Sequence, residues 1–304
     1  MLRREDVGHR IVVRRLAGSR DGRPVYSDAL GELTELTDTH LTVETVRGPV
    51  EVPLGEVHRA KLVPPPRRAA GRQIAALELA ADAAWPAPVR ERLGDWWLRA
   101  ADGWTGRANS ALPVGDPGRP LGQAVDAVER WYAERALPAR MNVPLPLAAP
   151  VGALLDERGW RSGPLVVVQT VRLPDLLDAA AERADLAPVG LSRTPTPDWL
   201  DVITARKGRG SSALPGAALH VLTAVDEVRF AHVYADGNLL AVARGTVTGQ
   251  GRWLGLSLIE VAPAARRAGL ARHVMGALAH WAGGIGATDA YLQVEQDNKP
   301  ALAL

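Results

Sequence analysis

Leu256-Ser257-Leu258-Ile259-Glu260-Val261-Ala262-Pro263-Ala264-Ala265-Arg266-Arg267-Ala268-Gly269-Leu270-Ala271-Arg272 is the stretch from which the rest of the chain is read. An apolar strand, 253–261, enters, and a loop without bulky apolar side chains turns. An amphipathic helix then starts near Arg267 and ends by Trp281. Such a turn presents unpaired backbone N–H groups at a helix N-terminus, which favours an anionic phosphate. Gly269 lets the backbone approach a ligand, because a Cβ there would collide with it. Arg266, Arg267 and Arg272 can add charge-assisted contacts. Taken alone, Arg-x-x-Gly-x-Ala describes a solvated, arginine-rich helix start equally well, so its surroundings decide.

Those surroundings are regular. Strands over 228–234 and 239–245 flank the turn Ala235-Asp236-Gly237-Asn238, and a strand over 290–294 follows the helix. Upstream, Asp198 is placed to cap a helix, Gly208-Arg209-Gly210-Ser211-Ser212 reads as a flexible loop, and 217–222 as a short helix. Residues 174–197 read as a proline-rich connection with one helical pattern over 175–184. Between 71 and 173 the patterns give helices at 74–81, 121–135 and 151–158. Strands fall at 96–100 and 141–143, with a buried one at 165–171. Asp102-Gly103 reads as the turn of a hairpin running on to Ser110. This is an α/β layering.

Residues 1–63 differ in kind. Five short strands, at 8–16, 28–36, 41–46, 50–54 and 57–63, suggest a small closed barrel of SH3-like type, a structural or docking module. Tyr26 is its sole aromatic residue, so the floor that grips proline-rich peptides is missing. Pro64-Pro65-Pro66-Arg67-Arg68 reads as a stiff linker.

Composition narrows the function. With 36 basic and 34 acidic residues the net charge is only +2, too small to draw in nucleic acid. No apolar run is long enough for a membrane span, the N-terminus lacks a secretory pattern, and cysteine is absent. The simplest reading is a cytoplasmic protein without thiolate chemistry, and seven scattered histidines give no metal-ligand spacing.

With Leu292-Gln293-Val294-Glu295-Gln296-Asp297-Asn298-Lys299-Pro300-Ala301-Leu302-Ala303-Leu304 added, the chain resembles the GCN5-related N-acetyltransferase (GNAT) superfamily. Val261-Ala262-Pro263 matches the end of its strand, and Arg266, Gly269 and Ala271 match its pyrophosphate loop. Val294, Asn298, Ala301 and Leu304 match its next motif. The resemblance implies acetyl-CoA as co-substrate, with Ile259 and Val261 pairing pantetheine and the amides of Arg267, Ala268, Gly269, Leu270 and Ala271 holding the pyrophosphate. It also implies that Asn298 orients the thiol end, and that a backbone N–H near Val261 contacts the oxyanion. The whole chain is similar to an actinobacterial subgroup, labelled histone-acetyltransferase-like, with an SH3-like domain and tandem GNAT-type halves. The implied domains are 1–63 (barrel), 71–173 (a degenerate half lacking the phosphate loop) and 198–304 (the acetyl-CoA-binding half). The family's second motif continues to a tyrosine, its general acid, which would be residue 305. The second half therefore reads as truncated, with the edge of the 291–294 strand unpaired.

The implied chemistry is direct attack of a neutral amine on the acetyl thioester in a ternary complex. Glu260 is the candidate base, being one residue from the oxyanion position; Glu295, Asp297, His232 and a water relay are the alternatives. Arg99, Arg107, Asn109 and Ser110 either line an acceptor cleft or bridge two halves, and Trp96, Trp97 and Trp104 are expected in the core. The acceptor is an amine on a protein or a small molecule. The alternative reading is a non-catalytic acyl-CoA-binding or interaction protein.

Overall fold

The computed structural model describes residues 2–303 apart from 4–5, 21–22, 46–47, 64–70, 181–182 and 208–212. The proline-rich linker and the Gly208–Ser212 loop lie outside the described residues. Two compact units divide the chain, Met1–Ala69 and Ala70–Leu304.

The first unit is an antiparallel sheet of β1 (Arg10–Arg20), β2 (Arg23–Leu36), β3 (His40–Thr45), β4 (Gly48–Pro53) and β5 (Val57–Leu62). Its order is β4-β3-β2-β1-β5, so among the described residues the pairing runs in a line with β4 and β5 at its ends. Alternation decides which side is buried: Ile11, Val13, Leu33, Leu41, Val43 and Val52 face one core.

The second unit opens with α1 (Gly71–Ala83) and a hairpin of β6 (Val89–Leu93) and β7 (Trp96–Ala100). Helices α2 (Leu121–Ala133) and α3 (Ala149–Glu157) pack on it through Val125, Val128, Tyr132 and Leu155. The expected hairpin partner of β7, residues 105–110, is instead a loop with a short 3-10 turn. The Asn109 side chain explains this. Its Oδ1 accepts from the amides of Ala101 and Gly103, and its Nδ2 donates to the carbonyls of Trp104 and Thr105. That amide makes the bonds a second strand would have made. Residues 141–143 contribute only an isolated bridge, Met141 to Ala111. Trp96 and Trp104 are buried, but Trp97 is only half-buried, with the guanidiniums of Arg90 and Arg92 over its ring at 4.0 and 3.6 Å.

The remaining elements are β8 (Val166–Arg172), α4 (Leu173–Ala179), β9 (Val189–Ser192), α5 (Pro197–Lys207), α6 (Gly216–Thr223), β10 (Val228–Ala235), β11 (Asn238–Thr248), β12 (Trp253–Val261), α7 (Leu270–Gly284), β13 (Asp289–Glu295) and α8 (Lys299–Leu302). The sheet order is β8-β13-β12-β11-β10-β9, with only β12 and β13 parallel among these neighbours. Helices α4 and α7 cover one face through Leu173, Val274 and Leu278. On the other face, α5 and α6 pack through Trp199, Ile203 and Val221, joined by Trp85 and Trp104. Thr196, not Asp198, caps α5, its hydroxyl accepting from the Trp199 amide at 3.2 Å. Strand β9 goes unseen in the proline-rich segment because four residues are too few to show a period.

Strand β8 corrects two expectations. It is not buried: Leu165 beside it is 62% exposed and Val166 52%. Nor is β13 left bare, since β8 pairs it from Asp289↔Arg172 to Glu295↔Val166. A continuous apolar run is compatible with a covered interior strand, but here it is spent on covering an edge.

Candidate functional site

The site begins where β12 stops behaving as a regular strand. Ser257 pairs with Arg244 and Glu260 with Val242, so Leu258 and Ile259 together oppose Ala243: a bulge, with Leu258 in the left-handed region at φ 53°. On its other side, β12 pairs with β13 only from Trp253↔Asp289 to Leu256↔Leu292. Both strands continue, to Val261 and Glu295, so a gap opens between two parallel strands.

The backbone of Val261 faces that gap. Ala262 donates to the Leu240 carbonyl at 2.8 Å, which makes Val261↔Ala241 a pair without direct bonds. The Val261 N–H and carbonyl therefore turn away from β11, and its carbonyl accepts from Arg266 Nε at 3.3 Å.

Beyond Pro263 the loop holds Arg267 at φ 65° and Gly269 at φ 89°, and α7 starts at Leu270. No side chain caps α7; its first internal bond runs from the His273 amide to the Gly269 carbonyl. The Leu270, Ala271 and Arg272 amides thus precede the helical ladder, at the positive end of a 15-residue helix. A Cβ on Gly269 would stand 2.9 Å from Nη1 of Arg183, a cation the sequence does not single out. Asp185 holds Arg183 through two bonds, at 2.7 and 2.6 Å. Hydrogen bonding from Arg183 holds the Asp185 carboxyl down at about 2.

Glu260 lies between Ile259 and Val261, which pack with the α7-side core, so strand alternation sends its side chain to the α5 face. There it meets Arg206 Nε at 2.6 Å. Both border a cavity of about 390 Å³ between α5, the start of β11 and the end of β12. Val202, Ala205 and Leu239 are among its apolar walls, and Arg266 stands at the loop side. Sequence reasoning misses Arg206 because a helical arginine in the same stripe as Val202 carries no signal until the strand end it faces is known.

The other candidates fall elsewhere. Asn298 caps α8, its Oδ1 accepting from the Ala301 amide at 3.3 Å, while Glu295 and Asp297 are exposed. His232 packs over Gly190 on β9, where a Cβ would fall within the ring's contact distance. Arg99 and Ser110 are buried and joined to each other: Arg99 donates to the Ser110 carbonyl and hydroxyl and to Asp82. They bridge α1 to the β7 loop. Among the described residues no group of acids and histidines is placed to hold a metal ion, and no helix is long and apolar enough to cross a membrane.

A family model described as "Probable histone acetyltransferase Rv0428c C-terminal" matches residues 71–304. The chain belongs to this family. The probable histone acetyltransferase Rv0428c of Mycobacterium tuberculosis is 33% identical over 308 residues, spanning 98% of this chain and 90% of the relative. The uncharacterized N-acetyltransferase YobR of Bacillus subtilis is 28% identical over 232 residues, 75% of this chain and 90% of that protein. Among solved structures, a GCN5-related N-acetyltransferase from Kribbella flavida superimposes with a TM-score of 0.50 at 17% identity. That match covers 75% of this chain and 87% of the other. The Rv0428c-like family thus sits within the GNAT superfamily, and the mixed α/β sheet with its parallel β12–β13 pair is a GNAT fold.

Proposed function

We propose that the protein is an acetyl-CoA-dependent N-acetyltransferase that passes the acetyl group directly to an amine while both are bound. The observation that carries this reading is the gap between β12 and β13 beyond Leu256 and Leu292, beside the uncapped start of α7. The residues fit the co-substrate: left-handed Arg267 and Gly269 and the amides through Ala271 form a cradle, beside which a Cβ on Gly269 would meet the Arg183 guanidinium. Ile259 and Val261 offer strand backbone to pantetheine, and Arg266, Arg267 and Ala268 flank the diphosphate. When bound, acetyl-CoA supplies an activated thioester.

The chain's own groups do the rest. The Val261 N–H, turned toward the gap, donates to the oxygen that becomes negative as nitrogen attacks. Glu260 takes the proton from the arriving ammonium, the N–C bond forms, and the C–S bond breaks with its electron pair leaving on sulfur. Asn298 stands by the thiol end. On the same reading 71–173 is a degenerate half supporting the 198–304 domain, and 1–63 is an SH3-like module.

Calorimetric titration of acetyl-CoA into the whole chain, beside Gly269→Glu, tests the cofactor site. Binding that disappears in a folded Gly269→Glu variant supports the reading; equal binding by both chains, or none by the native chain, refutes it. Binding without thiol release across an amine panel would favour the non-catalytic alternative.

A further inference from the structure

The acceptor's chemistry can be read from the cavity beside Glu260, given the acetyltransferase reading above. Three charged side chains line it among the described residues: Glu260, Arg206 and Arg266. One acid therefore faces two cations, and the acid is already ion-paired to Arg206 at 2.6 Å. The Glu260 side chain is 19% exposed and that of Arg206 49%, so the carboxylate is the inner member. Apolar Val202, Ala205 and Leu239 make up much of the remaining wall.

An amine reaches neutral water as an ammonium and needs Glu260 both to hold it and to take its proton. Entering alone, it must displace Arg206 and leave a half-exposed guanidinium without its counter-ion, at a modest cost. A polyamine, a multiply aminated sugar or a lysine-rich tail makes matters worse, because its extra charges meet Arg206 and Arg266. An acceptor that carries a carboxylate next to its amine avoids both costs. Its carboxylate takes Arg206, with the fork geometry guanidinium prefers, while its ammonium takes Glu260. The Arg206–Glu260 ion pair gives way to two intermolecular ones.

We propose that the acceptor is a zwitterion, an α-amino acid with an apolar side chain, whose carboxylate pairs with Arg206 and whose amine faces Glu260. The side chain lies against Val202, Ala205 and Leu239, and a cavity of about 390 Å³ is of small-metabolite size. The reaction balances: the ammonium gives one proton to Glu260 and a second after attack. The products are the N-acetyl amino acid, coenzyme A thiol and one proton released to solvent.

The test has two arms, so that failure of the cofactor reading and failure of this one are told apart. First, acetyl-CoA binding to the native chain and to Arg206→Gln is measured by calorimetry; both should bind it within about twofold, since Arg206 pairs across the cavity and not in the phosphate turn. No binding to either would sink the acetyltransferase reading and this proposal with it. Second, thiol release is followed with the apolar α-amino acids leucine, methionine, phenylalanine and valine. Leucinamide, isopentylamine, spermidine and a lysine-rich peptide are the controls. The proposal expects at least one amino acid to exceed isopentylamine in kcat/KM by on the order of 100-fold, with Arg206→Gln removing most of that preference. With acetyl-CoA bound, it is overturned by preference for an amine or polycation, by a preference that survives Arg206→Gln, or by no turnover of any amino acid.

Discussion

Asp82 on α1 and Arg99 on β7 meet at 2.8 Å with side chains 3% and 1% exposed, forming a buried ion pair that ties the first helix of the larger unit to its hairpin. Arg90 engages the second oxygen of Asp82, and Arg99 also donates from Nε and Nη2 to Ser110. Losing Arg99 leaves the buried Asp82 carboxylate with Arg90 alone and the Ser110 carbonyl and hydroxyl without their donor. Arg99→Met should therefore cost about 1–3 kcal/mol of unfolding free energy, measured by urea denaturation. The double variant Asp82→Leu/Arg99→Met should recover some of that loss; a single variant within experimental error of native would refute the role.

Gly255 on β12 faces Tyr291 on β13. A Cβ there would lie 2.5 Å from the tyrosine hydroxyl and 3.0 Å from Thr246 Oγ1. These two strands must lie close here and separate just after Leu256. Gly255→Ala should destabilise by roughly 1–3 kcal/mol through overpacking and, by prising the pair apart early, weaken acetyl-CoA binding. Tyr291→Phe in the same background should relieve some of the loss, which thermal unfolding would register.

Alkaline pH should expose the burial of Tyr291 and Tyr132. Burial, the larger influence on each, raises their hydroxyls from 10.0 to about 12. A group whose folded value is raised contributes stability that is whole below the unfolded value and is lost as pH climbs toward the folded one. Unfolding free energy should thus fall between pH 10 and about 12, with about 1.4 kcal/mol at stake for each tenfold change in proton affinity. Tyr291→Phe should flatten that decline; an unchanged slope would contradict it.

Glu260→Gln keeps the shape of the carboxylate while removing its basicity. If Glu260 takes the acceptor's proton, kcat/KM should fall by about 10²- to 10⁴-fold, with acetyl-CoA affinity little changed. The acid limb of the pH–rate profile should disappear as well. Loss of less than tenfold with the limb intact would assign the base elsewhere.

Much of this is legible in residue order. The turn at Gly269 and the alternation of β10, β11 and β12 are local, set by glycine's freedom and by which residues must be buried. Sequence alone misassigns the strand after β7 because Asp102-Gly103 is a good turn signal, and only Asn109, folded back on four backbone groups, shows that no strand follows. The 165–171 run reads as a strand, but not as the cover of β13, because pairing between residues more than a hundred positions apart leaves no mark in either segment.

By itself, then, the sequence determined what short-range physics decides: strand, glycine-bearing turn and helix in the order on which the proposed phosphate site rests, and a core without thiols. Tertiary structure alone decided what depends on partners distant in the chain. It brought Arg206 to Glu260 across 54 positions, closed β8 onto β13, and drew β12 away from β13 after Leu256. The reason is that backbone conformation follows from each residue and its neighbours, whereas charge pairing and strand separation are set by the packing of whole elements.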